Sequence, residues 1–319
     1  MQGLGTIDNP YVISAVTDWN EVINYINNDS FKYVVLGNDI DFKGDIINSF
    51  PSGLYELDGK FFTLKNIALS SATSQVFDVV SIDSTIKNIN IDNVYATSTY
   101  FGIVGMCNGL VEKIQIKNLT LNVGATNYMV GGIVRQGDTG TIKNCSVQGT
   151  INYTPTTVTS YNSSYYAGGI VGVFNSGSSN VKIINSYAAI SVPSSVFRTR
   201  YNGLCGNWAS TNNTSNFTIT NSYFDRSLAG TTTNRGGGGS WGRTTTQLKQ
   251  KSTYSGWDFT NTWGITEGVS YPQLLVIKDP IIKNYKVTSV VKTVISKLTV
   301  TKKRYSNVIS HSKHVHSNV

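Results

Sequence analysis

The stretch Ala167-Gly168-Gly169-Ile170-Val171-Gly172, followed by Ile183-Ile184-Asn185-Ser186-Tyr187, decides the fold of this 319-residue chain. Its two parts, a glycine-rich phrase and an isoleucine–asparagine phrase, recur together. The other copies pair Phe101-Gly102-Ile103-Val104-Gly105 with 114–118, Val130-Gly131-Gly132-Ile133-Val134 with 142–146, Asn202-Gly203-Leu204-Cys205-Gly206 with 219–223 and, in degenerate form, Gln75-Val76-Phe77-Asp78 with 86–90. A repeat of about 25–40 residues is typical of a stacked, solenoid architecture.

Each copy contains two short runs rich in Ile and Val, separated by Gly, Asn and Ser. This composition favours strands over helices. Ile183, Asn185 and Tyr187 alternate with Ile184 and Ser186, which predicts a strand with one buried face. Because so short a strand cannot bury that face within its own repeat, the copies must stack on one another. We therefore predict an all-β fold, a parallel β-helix with one coil per repeat.

The glycines of the repeat are predicted to lie at the corners of the coils. A Cβ atom there would obstruct a sharp turn or the close approach of two backbones. The predicted corner residues are Gly102, Gly105, Gly131, Gly132, Gly168, Gly169, Gly172, Gly203 and Gly206.

The two phrases, with the closing Trp263-Gly264-Ile265, Gly268 and Tyr271-Pro272-Gln273-Leu274, resemble GLUG-motif repeat proteins over about residues 1–276. Such repeats occur in surface-exposed bacterial proteins and in some phage proteins. The resemblance implies a right-handed parallel β-helix, and it implies no catalytic residues.

The β-helix is predicted to span residues 32–277, with residues 1–31 as an N-terminal cap. Asp18 and Glu21 match the ends of a capping box, and the apolar residues that follow Asp18 recur at helical spacing. A short helix here would cover the open edge and the apolar end of the first coil. At the other end, three aromatic residues are predicted to cover the last coil: Trp257, Phe259 and Trp263.

The net charge of +8 lies in residues 278–319, which contain nine Lys or Arg residues and one acid. Their lysines alternate with β-branched residues, which favours a pairing strand over a platform for nucleic acid. We predict a separate C-terminal β or extended segment that docks on other virion proteins of a capsid or tail, with nucleic acid disfavoured. The candidate docking residues are Lys286, Lys292, Lys297, Lys302, Lys303 and Arg304.

Polar insertions at Thr154–Ser164 and Asn207–Ser215 are predicted to project from the corners as recognition loops. Aromatic residues in and beside them are suited to stacking on sugar rings. The candidate ligand-facing residues are Tyr161, Tyr165, Tyr166 and Trp208. A host-surface glycan or protein and a second copy of the chain are further partners that the sequence permits.

The sequence predicts neither a catalytic site nor a metal or cofactor. Its histidines are His311, His314 and His316, so residues 1–310 contain no Ser–His or Cys–His pair, and no second cluster of ligands completes a metal site around them. An odd number of cysteines, each inside a repeat, favours small core residues over disulfides. A glycosidase needs two paired carboxylates. No two aspartates of the repeats fall at equivalent positions of adjacent coils, so the sequence predicts no such pair. The aspartates considered are Asp39, Asp41, Asp58, Asp78, Asp83, Asp92, Asp138 and Asp225.

Together these features predict a non-enzymatic virion protein. It would be a phage head or tail appendage that adheres to a host-surface glycan or protein. The alternatives are a fragment of a bacterial surface adhesin and a polysaccharide-depolymerising tailspike. The first residues lack the basic and apolar regions of a secretory signal, which favours the virion over the cell surface. No stretch approaches 18 consecutive apolar residues, so no membrane span is expected.

Overall fold

The computed structural model describes residues 2–28, 32–70, 74–124, 128–154, 165–174, 180–193, 201–206, 217–230 and 241–276. For residues 27, 28, 165 and 217 it describes the backbone alone. All of these residues belong to one compact unit, Met1–Ile277. The predicted C-terminal segment lies outside the described residues.

The described part of the chain consists mainly of short strands. In chain order they are β1 (Tyr11–Ile13), β2 (Lys32–Leu36), β3 (Ile40–Asp41), β4 (Leu54–Asp58), β5 (Thr63–Leu69), β6 (Phe77–Val80), β7 (Thr85–Thr97), β8 (Tyr100–Phe101), β9 (Val104–Cys107), β10 (Leu110–Val123), β11 (Tyr128–Gly131), β12 (Val134–Gly137), β13 (Thr141–Lys143), β14 (Ser146–Tyr153), β15 (Tyr165–Gly168), β16 (Val171–Phe174), β17 (Val181–Ile184), β18 (Tyr187–Ser191), β19 (Tyr201–Asn202), β20 (Phe217–Thr220), β21 (Tyr223–Asp225), β22 (Gly242–Arg243), β23 (Trp263–Gly264) and β24 (Gln273–Leu274). The helices are α1 (Val16–Asn28), α2 (Arg226–Ala229) and α3 (Thr245–Leu248), with a 3-10 turn at Lys251–Thr253.

The strands stack into a parallel β-helix, as the repeats predict. One sheet contains β8, β11, β15 and β19, a second contains β6, β9, β12 and β16, and a long bent sheet contains most of the others. Each described strand pair is parallel except β23 with β24. The buried Ile, Val, Leu and Phe side chains of successive coils form one continuous core. The all-β, solenoid prediction is therefore confirmed.

The long sheet bends at a column of residues in the left-handed conformation, with φ between 46° and 56°. Strand registers align them one per coil: Asn88, Lys113, Asn144, Asn185 and Asn221. Asparagine tolerates this conformation better than most residues with a side chain. The prediction of one alternating strand through 183–187 is therefore wrong, because the chain turns at Asn185. The bend divides the long sheet into two parts, which form two faces of the β-helix. We call the part before the bend, which includes β13, β17 and β20, the first face. The part after the bend, which includes β14, β18 and β21, is the second face.

Glycine lies where adjacent coils approach most closely. A Cβ atom on Gly132 would lie 2.2 Å from the carbonyl oxygen of Gly169, and one on Gly169 would lie 2.4 Å from that of Gly203. The glycines at or beside this corner are Gly102, Gly131, Gly132, Gly168, Gly169 and Gly203. Gly105 and Gly172 are not at this corner, because they lie inside β9 and β16. The close backbone approach predicted for them is present, since a Cβ atom would lie 2.5 Å from the carbonyl oxygen of Asp78 at Gly105 and 2.6 Å from that of Arg135 at Gly172. Gly206 follows the bridge residue Cys205 and is likewise not at this corner.

Helix α1 covers the core that the first coils leave open. Trp19 is fully buried, and its ring packs edge-on against Phe42 and Phe50, with centroids 5.3 and 4.4 Å apart. Its indole Nε1 donates to the carbonyl oxygen of Asn48 at 3.0 Å. The two smaller sheets begin only at β6 and β8. Helix α1 therefore covers core residues of the first coils, which is the place predicted for the capping helix.

The predicted capping box at the start of this helix is wrong in its residue roles. Helix α1 begins at Val16, so Asp18 lies within the first turn. Its Oδ2 accepts hydrogen bonds from the backbone N–H groups of Ser14 (2.9 Å) and Ala15 (3.1 Å). Asp18 thus plays the part of the residue that reaches back in a capping box, and not that of the N-cap.

Buried serines follow the asparagine column and connect the coils. The Oγ of Ser186 accepts from the backbone N–H of Cys145 at 3.0 Å and donates to the carbonyl of Ile184 at 2.9 Å. In the next coil, the Oγ of Ser222 accepts from the backbone N–H of Ser186 at 3.1 Å. These hydroxyls supply partners for amides at the bend, where the strand ladder is interrupted.

Candidate binding groove

The outer surface of the second face carries two columns of side chains, because alternate residues of each strand point outward. Strand registers align one residue per coil in each column, except between β10 and β14, where the register shifts after Ile116↔Val147 and Gln148 is placed by its neighbour Val147. The first column is Thr63, Asn90, Gln115, Ser146, Tyr187 and Tyr223, and the second is Lys65, Asp92, Lys117, Gln148 and Ala189. Both columns are polar in the earlier coils and become aromatic or small in the later ones.

The closing segment (residues 241–276) covers the later half of this face. Its Trp257, Trp263 and Leu274 form a second buried cluster with Tyr187 and Tyr223. The indole Nε1 of Trp257 donates to the carbonyl of Asn221 at 2.7 Å. The aromatic residues predicted to cover the last coil therefore do so from its side, where they pack against the outward tyrosines.

Two side chains of the β-helix hold the closing segment in place. The hydroxyl of Tyr187 accepts from Gln148 Nε2 and donates to the carbonyl of Pro272, both at 2.8 Å. Burial raises the pKa of this phenol. The carboxylate of Asp225, which is 1% exposed, accepts from the hydroxyls of Tyr271 (2.6 Å) and Thr245 (2.7 Å). Asp225 also caps α2 through its other oxygen, so its carboxylate has a structural role.

The earlier half of the second face stays open beside the closing segment and forms a groove of about 210 Å3. Its floor comes from β5, β7 and β10, and its wall from the end of the closing segment. The lining residues are Thr63, Asn90, Ile91, Asp92, Gln115, Lys117, Gln273, Leu274 and Val276. Amide, hydroxyl, carboxylate and ammonium groups thus converge on one concave surface.

Beside the groove, the charged groups of the earliest coils pair with each other. The Lys65 ammonium lies 2.8 Å from Asp39 Oδ2, and this hydrogen bond and charge raise the pKa of Lys65. A hydrogen bond from Asn66 Nδ2 at 2.8 Å, with one from the backbone N–H of Lys43, lowers the pKa of Asp41. These groups are therefore engaged in contacts within the protein.

Inside the groove, Asp92 and Lys117 are differently placed. Asp92 Oδ1 accepts from Asn118 Nδ2 at 2.7 Å, and Lys117 Nζ donates to Gln273 Oε1 at 3.1 Å. Among the ion pairs formed between described residues, none includes either side chain. The groove therefore presents one carboxylate and one ammonium whose charges are not neutralised by direct contact.

The cysteines are core residues. Burial raises the pKa of the Cys107 and Cys145 thiols to about 12, and it raises that of Cys205 as well. A thiol with so high a pKa is a poor nucleophile at neutral pH.

Within the described ranges, no group of three or more His, Cys, Asp or Glu residues is placed to hold a metal ion. No described helix is long and apolar enough to cross a membrane.

Of the predicted ligand-facing residues, the structure describes the side chain of Tyr166 alone. It lies half-buried on β15, in register with Met129, which is in register with the exposed Tyr100. The backbone of Tyr165 belongs to the same strand, while Tyr161 and Trp208 lie outside the described residues. So do the predicted docking residues, Lys286, Lys292, Lys297, Lys302, Lys303 and Arg304. Their roles stay predictions.

Sequence reasoning missed the groove, although a signal for it exists. Asn90-Ile91-Asp92 and Gln115-Ile116-Lys117 both alternate polar and apolar residues at the same position of successive repeats. That alternation places two polar side chains per coil on the outer surface. The contribution of Gln273, Leu274 and Val276 has no comparable signal, since it depends on where the closing segment packs.

The sequence matches no protein-family model and no curated protein. Among solved structures, it is similar to the crystal structure of a "putative immunoglobulin A1 protease" from Bacteroides ovatus. The TM-score is 0.60 at 18% sequence identity, over 86% of this chain and 94% of that chain. Identity this low shows a shared fold alone.

This neighbour corrects one prediction. A non-enzymatic role was inferred partly from the architecture, yet a chain of the same architecture bears the name of a protease. The prediction that the chain is not an enzyme is therefore contradicted. The comparisons provide no match to a GLUG model and nothing on a virion origin.

Proposed function

We propose that this β-helix binds an extended glycan of a host surface in the groove on its second face. The observation that carries the proposal is the convergence of the Asn90 and Gln273 amides with Asp92 and Lys117 in one concave site, whose floor includes the buried Gln115. Amide groups both donate and accept hydrogen bonds, as sugar hydroxyls do. Repetition of the polar columns from coil to coil, about 4.8 Å apart, suits a ligand that is itself a repeating polymer.

The position of the groove favours a glycan over a peptide. Extended peptides commonly bind by adding a strand to the free edge of a sheet. The floor of this groove is the face of a sheet, and the backbone groups of β5, β7 and β10 already pair with each other. A ligand must therefore be recognised by side chains, and most of those available here are polar.

The second part of the proposal is that residues 278–319 attach the protein to a larger particle or surface. Residues 278–319 carry the whole net positive charge of the chain, which supports docking on an acidic protein surface through Lys286, Lys292, Lys297, Lys302, Lys303 and Arg304. We propose a virion, or alternatively a bacterial cell surface, as the place of attachment. Finding the protein in purified particles, or on intact cells, distinguishes the two.

A steric block of the groove tests the proposal. Thr63→Trp fills the groove from its floor, while Thr85→Trp places the same bulk on the first face, outside the groove. Binding of the full chain to an array of host-surface oligosaccharides is followed by calorimetry. We expect Thr63→Trp to weaken binding at least about tenfold, a loss of about 1.4 kcal/mol, and Thr85→Trp to leave it unchanged. Equal affinities for the two variants would refute the proposed site.

A second candidate function is proteolysis, favoured by the name of the structural neighbour. Incubation of the full chain with immunoglobulin A1, followed by mass spectrometry of fragments, tests it. The same incubation with the glycans that bind shows whether they are cleaved as well as held. Intact immunoglobulin after prolonged incubation would remove this candidate.

A further inference from the structure

Resting on the proposed glycan-binding function, we infer that the groove is specific for acidic saccharides, with the carboxylate of a uronic or sialic acid bound at Lys117. The Lys117 ammonium is the cation that lines the groove, and Gln273 Oε1 is its hydrogen-bond acceptor at 3.1 Å. A neutral amide satisfies one of the three N–H donors of a lysine and supplies no negative charge. Asp92 is in register with Lys117 on the neighbouring strand, and the two form no ion pair. A ligand carboxylate supplies both the charge and the acceptor.

The other lysines of the early coils show the contrast. Lys65 lies 2.8 Å from Asp39, Lys60 lies 2.9 Å from Asp58, and Lys87 lies 2.7 Å from Glu56. Each of these ammonium groups already has a carboxylate partner. Lys117 continues the column of Lys65 and Asp92. On its other side the register of β10 with β14 shifts after Ile116↔Val147, and the residue that follows Val147, Gln148, is neutral. Residues 270–276 of the closing segment contain no acid either.

Asp92 is compatible with an acidic sugar because it serves the hydroxyls. Its Oδ1 accepts from Asn118, which leaves further lone pairs directed to other donors. A uronate or sialate ring carries hydroxyl donors beside its carboxylate, so such a ring can lie over the neighbouring Asp92 and Lys117, with a hydroxyl toward the carboxylate and its own carboxylate toward the ammonium.

The test compares acids with their methyl esters, which keep the ring and lose the charge. Full-length protein is titrated with hyaluronan oligomers, alginate oligomers and sialyl-lactose, each also as the ester, at low and high salt. We expect the acid forms to bind about 10- to 100-fold more tightly, as for a charged hydrogen bond, and high salt to reduce the difference. Lys117→Gln should abolish this preference, whereas Lys117→Arg should keep it. The control Lys182→Gln, an exposed lysine on the first face, should have no effect.

Each result that differs from these expectations refutes a specific claim. Equal binding of acids and esters overturns the inference and leaves glycan binding intact. Binding by neutral sugars of the wider array alone does the same. Loss of acid binding in Asp92→Asn, with Lys117→Gln unaffected, assigns recognition to Asp92 and overturns the role of Lys117. No binding by any saccharide removes the inference and the proposed function together.

Discussion

Replacing Gly169 by alanine tests the physical basis of the repeat. A Cβ atom at this position would lie 2.4 Å from the Cβ of Ala188, 2.4 Å from the carbonyl oxygen of Gly203 and 2.7 Å from the Tyr201 hydroxyl. Real Cβ atoms do not approach other heavy atoms so closely, so the coils must separate locally. The Gly203 carbonyl has little freedom to move, because it accepts the backbone N–H of Gly169 at 2.8 Å.

The magnitude follows from the rigidity of these neighbours. Overpacking of a well-packed core typically costs 1–3 kcal/mol, and the upper end applies where backbone atoms are the obstacle. We therefore expect Gly169→Ala to lower the free energy of unfolding by about 3 kcal/mol. For a domain of this size, that corresponds to a fall in Tm of roughly 6–12 °C.

Gly124→Ala is the matched control within the same β-helix. A Cβ atom there meets one atom within 4 Å, the Thr154 Oγ1 at 3.9 Å. We expect no destabilisation, and a gain of about 0.4–1 kcal/mol from the smaller entropy of the unfolded chain. Thermal unfolding of both variants, followed by circular dichroism, measures the difference. If the two variants unfold at the same temperature, close approach of the coils is not the reason for the glycines.

Further predictions concern the bend of the long sheet and the buried thiols. Ser186→Ala should cost about 1–3 kcal/mol in chemical denaturation, because the buried N–H of Cys145 loses its acceptor; an unchanged midpoint would contradict that role. At Asn185, where φ is 48°, alanine should cost about 1 kcal/mol and glycine a few tenths at most, and the reverse order would exclude a backbone origin. In the native protein Cys107 and Cys145 should not react with Ellman's reagent at pH 8, and both should react after unfolding. Because burial in the folded protein raises these two pKa values from 9.0 to about 12, their contribution to stability is complete below pH 9 and should decline as the pH rises to 12. A flat stability profile over this range would refute it.

The stacked strands could be predicted from the sequence because they repeat. Ile133, Ile170 and their equivalents recur with the doubled glycines, and both features depend on contacts that each coil makes with the next. The bend at Asn185 could not be derived from alternation alone. Period-two reasoning assumes an extended backbone, and one residue in the left-handed conformation changes the face on which all later side chains lie.

The binding groove illustrates a different limit. Its floor is encoded locally, since Asn90, Asp92, Gln115 and Lys117 face outward by strand alternation. Its wall is encoded by the contacts of Pro272 and Gln273, which lie 85 and 156 residues from their partners Tyr187 and Lys117. No local pattern contains that information. The coupling between a local strand and a distant closing segment therefore has to be read from the structure.

The chemistry of each column also determines how far the closing segment extends. Tyr187 and Tyr223 are outward-facing but buried, so they need an apolar cover, which the aromatic residues of 241–276 supply. Asn90 and Lys117 would lose hydration under such a cover without enough partners to replace it. The closing segment therefore packs over the aromatic coils and leaves Asn90 and Lys117 partly exposed, with Gln273 at the boundary, although the polar Ser146 and Gln115 between them are buried. On this argument, the position of the groove is a consequence of where the outward columns change from aromatic to polar. Shifting the boundary between aromatic and polar residues by one coil, for example with Gln148→Leu, should lengthen the part of the face that the closing segment covers and shorten the groove.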